Sequence, residues 1–123
     1  MADWEISGRG LRVRAYFGER DRHHGKPLWS ALLEYLRGHH AAGATVERGI
    51  AGYGANSKIH AASLVDLSAD LPLVLEWIDA DDVVARLLPG LEAMLQGGMI
   101  TTDPVTIIRY QPHPHGGRRA APA

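Results

Sequence analysis

The chain has 123 residues, 46% of them hydrophobic and 22% charged, with 13 Lys and Arg against 14 Asp and Glu for a formal net charge of −1. A single domain of this size can bury one core without covalent staples, and its near-neutral charge excludes a general basic footprint for nucleic acid. Cysteine is absent, which excludes disulfides, thiolate metal sites and Cys nucleophiles.

The opening MADWEISGRG lacks the apolar core of a signal peptide, and no run approaches membrane-span length, so the expected compartment is the cytoplasm. Residues 1–9 read as a flexible N-terminus. LRVRAYF (11–17) alternates: Leu11, Val13, Ala15 and Phe17 share one side, Arg12, Arg14 and Tyr16 the other, predicting a strand with one wholly apolar face. GERDRHHGKP (18–27) is a charged connection leading into a helix. Pro27 suits the first turn of that helix, where its missing N–H would have been unpaired anyway. Leu28, Trp29, Leu32, Leu33 and Leu36 follow at helical spacing, Gly43 is the expected stop, and His39-His40 sits near the negative helix end.

ATVERGI (44–50) reads as a second strand, broken by the glycines of GIAGYG (49–54). Residues 55–70 show no sustained period, and connections of that length are usually functional or mobile. LPLVLEWI (71–78) is a third strand, and DADDVVARLLPGLEAML (79–95) a second helix that Pro89-Gly90 is expected to kink or split. QGG (96–98) turns the chain and VTIIRY (105–110) is a final strand, which makes 10–111 the folded domain and 112–123 a disordered tail.

Strand, helix, strand, strand, helix, strand is the ferredoxin-like βαββαβ plan, an α+β fold with a four-stranded antiparallel sheet and two helices on one face. LPLVLEWI and VTIIRY are largely apolar on both sides, and this chain offers no third layer to cover the bare face. Strands buried on both faces need a second cover, so another subunit is expected there.

At GATVERGIAGYG (43–54) the chain begins to resemble the nitrogen-regulatory PII proteins, whose second strand ends in Gly-Phe-Gly before a long loop. YFGERDRHHGKPLW (16–29) and RGIAGYG (48–54) are similar to the hallmark runs of a PII-like family of unknown function, over about residues 10–110. The resemblance implies a signalling homotrimer that binds a small anionic ligand, often an adenine nucleotide with Mg²⁺, in clefts between subunits. The loop after the second strand would report occupancy to a partner, and a small fluoride-exporting membrane channel is the partner the resemblance nominates. It assigns Gly52 and Gly54 to the loop base and Asn56 to the place of a Mg²⁺-coordinating Gln. Gly97 and Gly98 match the phosphate loop, and Arg109 the first of two phosphate-facing arginines. Gln111 replaces the second arginine, and QGGMI (96–100) lacks the acidic and lysine residues of the PII phosphate loop, so a less charged nucleotide or another anion suits this chain better.

The histidines admit other chemistries. Adjacent His23 and His24 in an extended segment point opposite ways and make poor partners at one metal ion, as do His39 and His40 on a helix. His113 and His115 fall in the tail. His23, His24 and Asp21 could supply a base and its orienter, but Ser30 and Ser57 have no nucleophile context, so the chain is not read as an enzyme. Arg20, His24 and Lys26 are instead expected to supply the positive charge missing from the phosphate loop, with Glu19 and Asp21 holding the arginines. Two other classes stay open: a CutA-like trimer binding divalent cations or small molecules, and a small enzyme using the His23/His24 loop.

Overall fold

A computed structural model describes residues 6–54, 59–61 and 70–112. The elements in chain order are β1 (Ile6–Gly18), β2 (Arg22–His23), β3 (Lys26–Pro27), α1 (Leu28–Gly38), β4 (Ala44–Arg48), β5 (Ala51–Gly52), β6 (His60–Ala61), β7 (Pro72–Ala80), α2 (Asp81–Met94) and β8 (Met99–Tyr110). The four long strands form one antiparallel sheet in the order β4-β7-β1-β8. This is the ferredoxin-like arrangement that the order of elements predicts. Neither helix is long and apolar enough to cross a membrane.

The alternation in β1 works as read: Val13, Ala15 and Phe17 are buried with Leu73, Leu75 and Trp77 of β7. Leu28, Leu32 and Leu36 of α1 and Val84, Leu87 and Leu91 of α2 close over them, three or four residues apart and so on one helical stripe. Each such side chain contributes roughly 1.5–3 kcal/mol by leaving water. Trp29 falls off this stripe and is 38% exposed. Tyr35 bridges the helices, its hydroxyl donating to Leu87 O at 2.8 Å. Its ring lies where a side chain on Gly90 would otherwise stand. Partial burial raises the Tyr35 pKa, against the lowering influence of Arg86.

Helix ends depart from the sequence reading. Gly43 does not stop α1; the helix ends at Gly38, and His40 takes the left-handed conformation (φ 67°) that glycine usually fills. Ala41 N–H bonds to Leu36 O at 3.0 Å and His40 N–H to Arg37 O at 3.2 Å, the paired bonds of a Schellman cap. His39 does meet the helix end, its Nδ1 lying 2.8 Å from Tyr35 O. Pro27 is the N-cap, one residue before the first turn. Pro89 does not split α2, which runs unbroken from Asp81 to Met94. The proline lies exposed between the buried Leu87 and Leu91, which anchor the helix on both sides of it.

Strand ends also extend further than predicted. β1 reaches back to Ile6, so residues 6–9, assigned to a flexible terminus, are paired instead with the far end of β8. β8 begins at Met99, and Pro104 fits within it because β8 is an edge strand whose outer side needs no ladder partner. The sheet face away from the helices carries a charged stripe. Arg12 donates to Asp103 at 3.2 and 2.7 Å, and Arg14 to Glu76 at 3.2 Å. Strand register sets Ile78 and Val74 beside these arginines' row, so the bare face is mixed apolar and charged. The Arg12 bond holds the Asp103 carboxyl below the usual aspartate range, and the Glu76 bond raises Arg14.

Candidate functional site

Register fixes two ends of the sheet. At one, Gly18 stands beside Pro72 and Tyr16 beside Met99; at the other, Gly10 stands beside Ala80 and Ile6 beside Tyr110. The first end gathers most of the residues singled out by sequence.

GERDRHHGKP is a β-hairpin on the way into α1. β2 and β3 pair through Arg22↔Pro27 and His23↔Lys26. The two residues between them, His24 (φ 51°) and Gly25 (φ 83°), are both left-handed, the requirement of a type I′ turn. That turn corrects the expectation that His23 and His24 point apart. Because His24 leaves the extended region, the imidazoles stack at 4.1 Å with planes 16° apart. Among the described residues, no group of three or more His, Cys, Asp or Glu is placed to hold a metal ion.

The charges of the hairpin are partnered differently from the sequence reading. Lys26 Nζ bonds Glu34 of α1 at 2.9 Å. Glu19 takes Arg48, at the end of β4, and Asp21 Oδ2 accepts Gly18 N–H at 3.1 Å. The acids therefore do not hold Arg20 and Arg22, whose side chains have no ion pair among the described residues. Arg20 is anchored through its backbone, N–H to Asp70 Oδ1 at 2.9 Å. The first N–H of α1 is also occupied, Leu28 donating to Asp21 O at 2.8 Å.

Gly52 lies in the β5–β6 ribbon, paired with His60, and a Cβ there would stand 3.1 Å from Pro72 Cγ. Gly54 has open space around it, so a side chain there would meet no neighbour within 4 Å. Asn56 lies outside the described residues, as do most of 55–70 and the tail histidines His113 and His115. Gly97 is open, while Gly98 (φ 90°) turns the chain into β8 against the Tyr16 carbonyl, leaving no room for a Cβ. Ile50, Tyr53 and Ile59, on and beside the ribbon, are 80%, 69% and 70% exposed.

Arg109 is not with them. It lies near the other end of β8, ten residues along from Met99, or about 33 Å at the rise of a strand. There it lines a cavity of about 330 Å³ with Ile6, Ala42, Ile78, Val105, Ile107 and Tyr110. Within one chain Arg109 and the glycines cannot touch the same small ligand.

A family model described as "Uncharacterized ACR, COG1993", DUF190, matches residues 10–107. The chain belongs to the DUF190 family. A UPF0166 protein of Aquifex aeolicus is 35% identical over 96 residues, spanning 78% of this chain and 90% of that one. A second UPF0166 protein, from Methanocaldococcus jannaschii, is 30% identical over 93 residues, spanning 74% and 85%. Among solved structures, CPII from Thiomonas intermedia K12, bound to ADP and bicarbonate, is similar with a TM-score of 0.48 at 13% identity, covering 86% of this chain and 93% of that one.

Sequence reasoning overlooked Arg48 and Asp70, which tie the hairpin to the ends of the long connection, and buried Asp79, which organises the opposite end of the sheet. Their partners lie 29, 50 and 37 residues away in the chain. A strand-terminal charge beside a glycine was the one local signal available for Arg48, and Asp70 had none.

Proposed function

We propose that this DUF190 protein is a PII-like sensor. It binds a small anionic ligand of the adenine-nucleotide class in clefts between the subunits of a homotrimer, and acts on a partner through the segment between β4 and β7. The observation that carries the reading is the split placement of the candidate residues. Gly52, Gly54, Gly97 and Gly98 lie at one end of the sheet, with Arg20, His24 and Lys26 on the adjoining hairpin, and Arg109 stands about 33 Å away. A site using both groups is complete only when a second chain supplies one of them. The mixed apolar and charged sheet face supports such an assembly, since it offers apolar area beside charges already paired within the chain, which a second copy can cover without leaving them unpartnered. Lys26 is engaged by Glu34, so Arg20 and His24 carry more of the hairpin's share in recognition. A small fluoride-exporting membrane channel is the partner we nominate from the sequence resemblance.

Light scattering gives the assembly, and calorimetry with ATP and ADP, with and without Mg²⁺, gives binding. Arg109→Ala should weaken binding roughly 10- to 150-fold, the loss of one charged donor to an anion. Gly97→Asp, at a position with open space, should repel the ligand without disturbing the fold. Co-expressed at random, chains carrying one change each recover about a quarter of wild-type sites if each site is shared, and none if each lies within one chain. A monomer, or wild-type protein that binds neither nucleotide, overturns the reading.

A further inference from the structure

We propose that the turn Gly18–Asp21 is a clamp coupling the β2–β3 hairpin to both ends of the connection between β4 and β7, so that a change at either is felt at the other. The turn grips the start of the connection through Glu19, whose carboxylate pairs with Arg48. It grips the end through two backbone donors: Glu19 N–H to Leu71 O at 2.8 Å and Arg20 N–H to Asp70 Oδ1 at 2.9 Å. The two ends are also tied to each other, Gly49 N–H donating to Pro72 O at 2.7 Å.

On its other side the turn is stiffly joined to the hairpin and α1. Asp21 N–H bonds Gly18 O at 3.1 Å, Asp21 Oδ2 accepts Gly18 N–H, and Asp21 O accepts the first N–H of α1. The fit is close: a Cβ on Gly18 would stand 2.9 Å from Asp70 Oδ1. The Glu19–Arg48 pair is partly exposed, with Arg48 61% accessible, and contributes little by itself. The coupling therefore runs chiefly through the two backbone donors and Asp70. A rotation of the hairpin that carries residues 19 and 20 must break both bonds or drag residues 70–72 along. By linkage, whatever perturbs the 70–72 end perturbs the hairpin to the same degree. This goes beyond the nucleotide reading and does not rest on it.

Hydrogen exchange on the full-length protein without any ligand tests the clamp. Asp70→Ala should speed exchange about tenfold or more in the hairpin amides of residues 20–26, while Asp70→Asn, which keeps an acceptor oxygen, restores the wild-type rate. Gly25→Val, which strains the type I′ turn, should speed exchange at Gly49, whose N–H donates to Pro72 O on the far side of the clamp. Core amides of Val13 and Leu75 report whether the fold survives. If Asp70→Ala loosens them as well, the Gly25→Val variant, read at Gly49, decides the coupling from the hairpin side. Effects confined to the mutated side, or Asn as disruptive as Ala at residue 70, overturn the proposal. Failure to bind nucleotide leaves it standing.

Discussion

Replacing Asp79 should cost this fold more than any other single polar change among the described residues. Asp79 is 1% exposed at the end of β7, and its carboxyl oxygens accept three N–H groups. Ala42 N–H reaches Oδ2 at 2.7 Å, the Trp77 indole N–H reaches Oδ2 at 3.0 Å, and Ala80 N–H reaches Oδ1 at 3.0 Å. The Ala42 carbonyl accepts the Tyr110 hydroxyl at 2.7 Å, so one residue is held from both sides. Asp79→Ala strands the indole N–H of Trp77, itself 1% exposed, and the half-buried Ala42 N–H. At about 1–3 kcal/mol per stranded buried donor, less what is regained by no longer burying an acid, the net loss is about 3 kcal/mol. Asp79→Asn can keep its oxygen toward Trp77 and Ala42 and loses mainly the bond to Ala80, so about 1–1.5 kcal/mol is expected. Urea unfolding at one fixed protein concentration measures both, the alanine variant shifting its midpoint by roughly 1–2 M. Trp77→Phe completes a cycle: it should cost less in the Asp79→Ala background, where no acceptor remains for the indole to lose. An alanine variant within 1 kcal/mol of wild type, or additive costs around the cycle, would refute the stranded-donor reasoning.

Two further outcomes follow from charge and backbone geometry. The Asp103 carboxyl is held below the usual aspartate range chiefly by the Arg12 hydrogen bond; a depressed folded value means its contribution is present above the unfolded pKa and is lost as pH falls through the folded one. Carboxyl NMR titration should show Asp103 returning upward toward the usual range in Arg12→Ala, and no movement would dismiss the pairing. Gly98→Ala should destabilise by about 2 kcal/mol or more, since it places a Cβ against the Tyr16 carbonyl at a positive φ, whereas Gly97→Ala should be nearly neutral; equal costs at the two positions in urea unfolding would contradict the geometry.

The core was legible because its signals are periodic. Val13, Ala15 and Phe17 repeat every two residues and Leu28, Leu32 and Leu36 every four, so side-chain hydrophobicity alone assigns their faces. Turns and ends were harder to read because left-handed positions went to unexpected residues. His24 and His40 take positive φ where a glycine lies one or three residues further on, and histidine's tolerance of that region is too modest to announce it. Residues 6–9 read as loose because Ser7, Gly8 and Arg9 carry no alternation. They are strand because β8 supplies the ladder, an influence from about a hundred residues away in the chain that outweighs local propensity.

The site residues show the same division more sharply. Within GERDRHHGKP the acids and bases lie close enough in sequence to satisfy one another, and local pairing is the natural inference. Two turns prevent it: the Gly18–Asp21 turn commits Asp21 to its own backbone, and after the type I′ turn at His24–Gly25 Lys26 bonds Glu34 of α1. Glu19 is then left to Arg48 across the sheet end. Among the described residues Arg20 and Arg22 have no ion pair, because the fold has drawn Glu19 and Asp21 elsewhere. A cluster that is nearly neutral in composition thus presents positive side chains at the sheet end that holds the glycine turns. The positive charge there arises from topology, through ion pairs 8 and 29 residues apart, and the decapeptide alone does not contain it. Arg109 extends the argument by one level, since the strand that carries it runs its full length away from those glycines, so the shared site we propose needs a second chain to bring the two together.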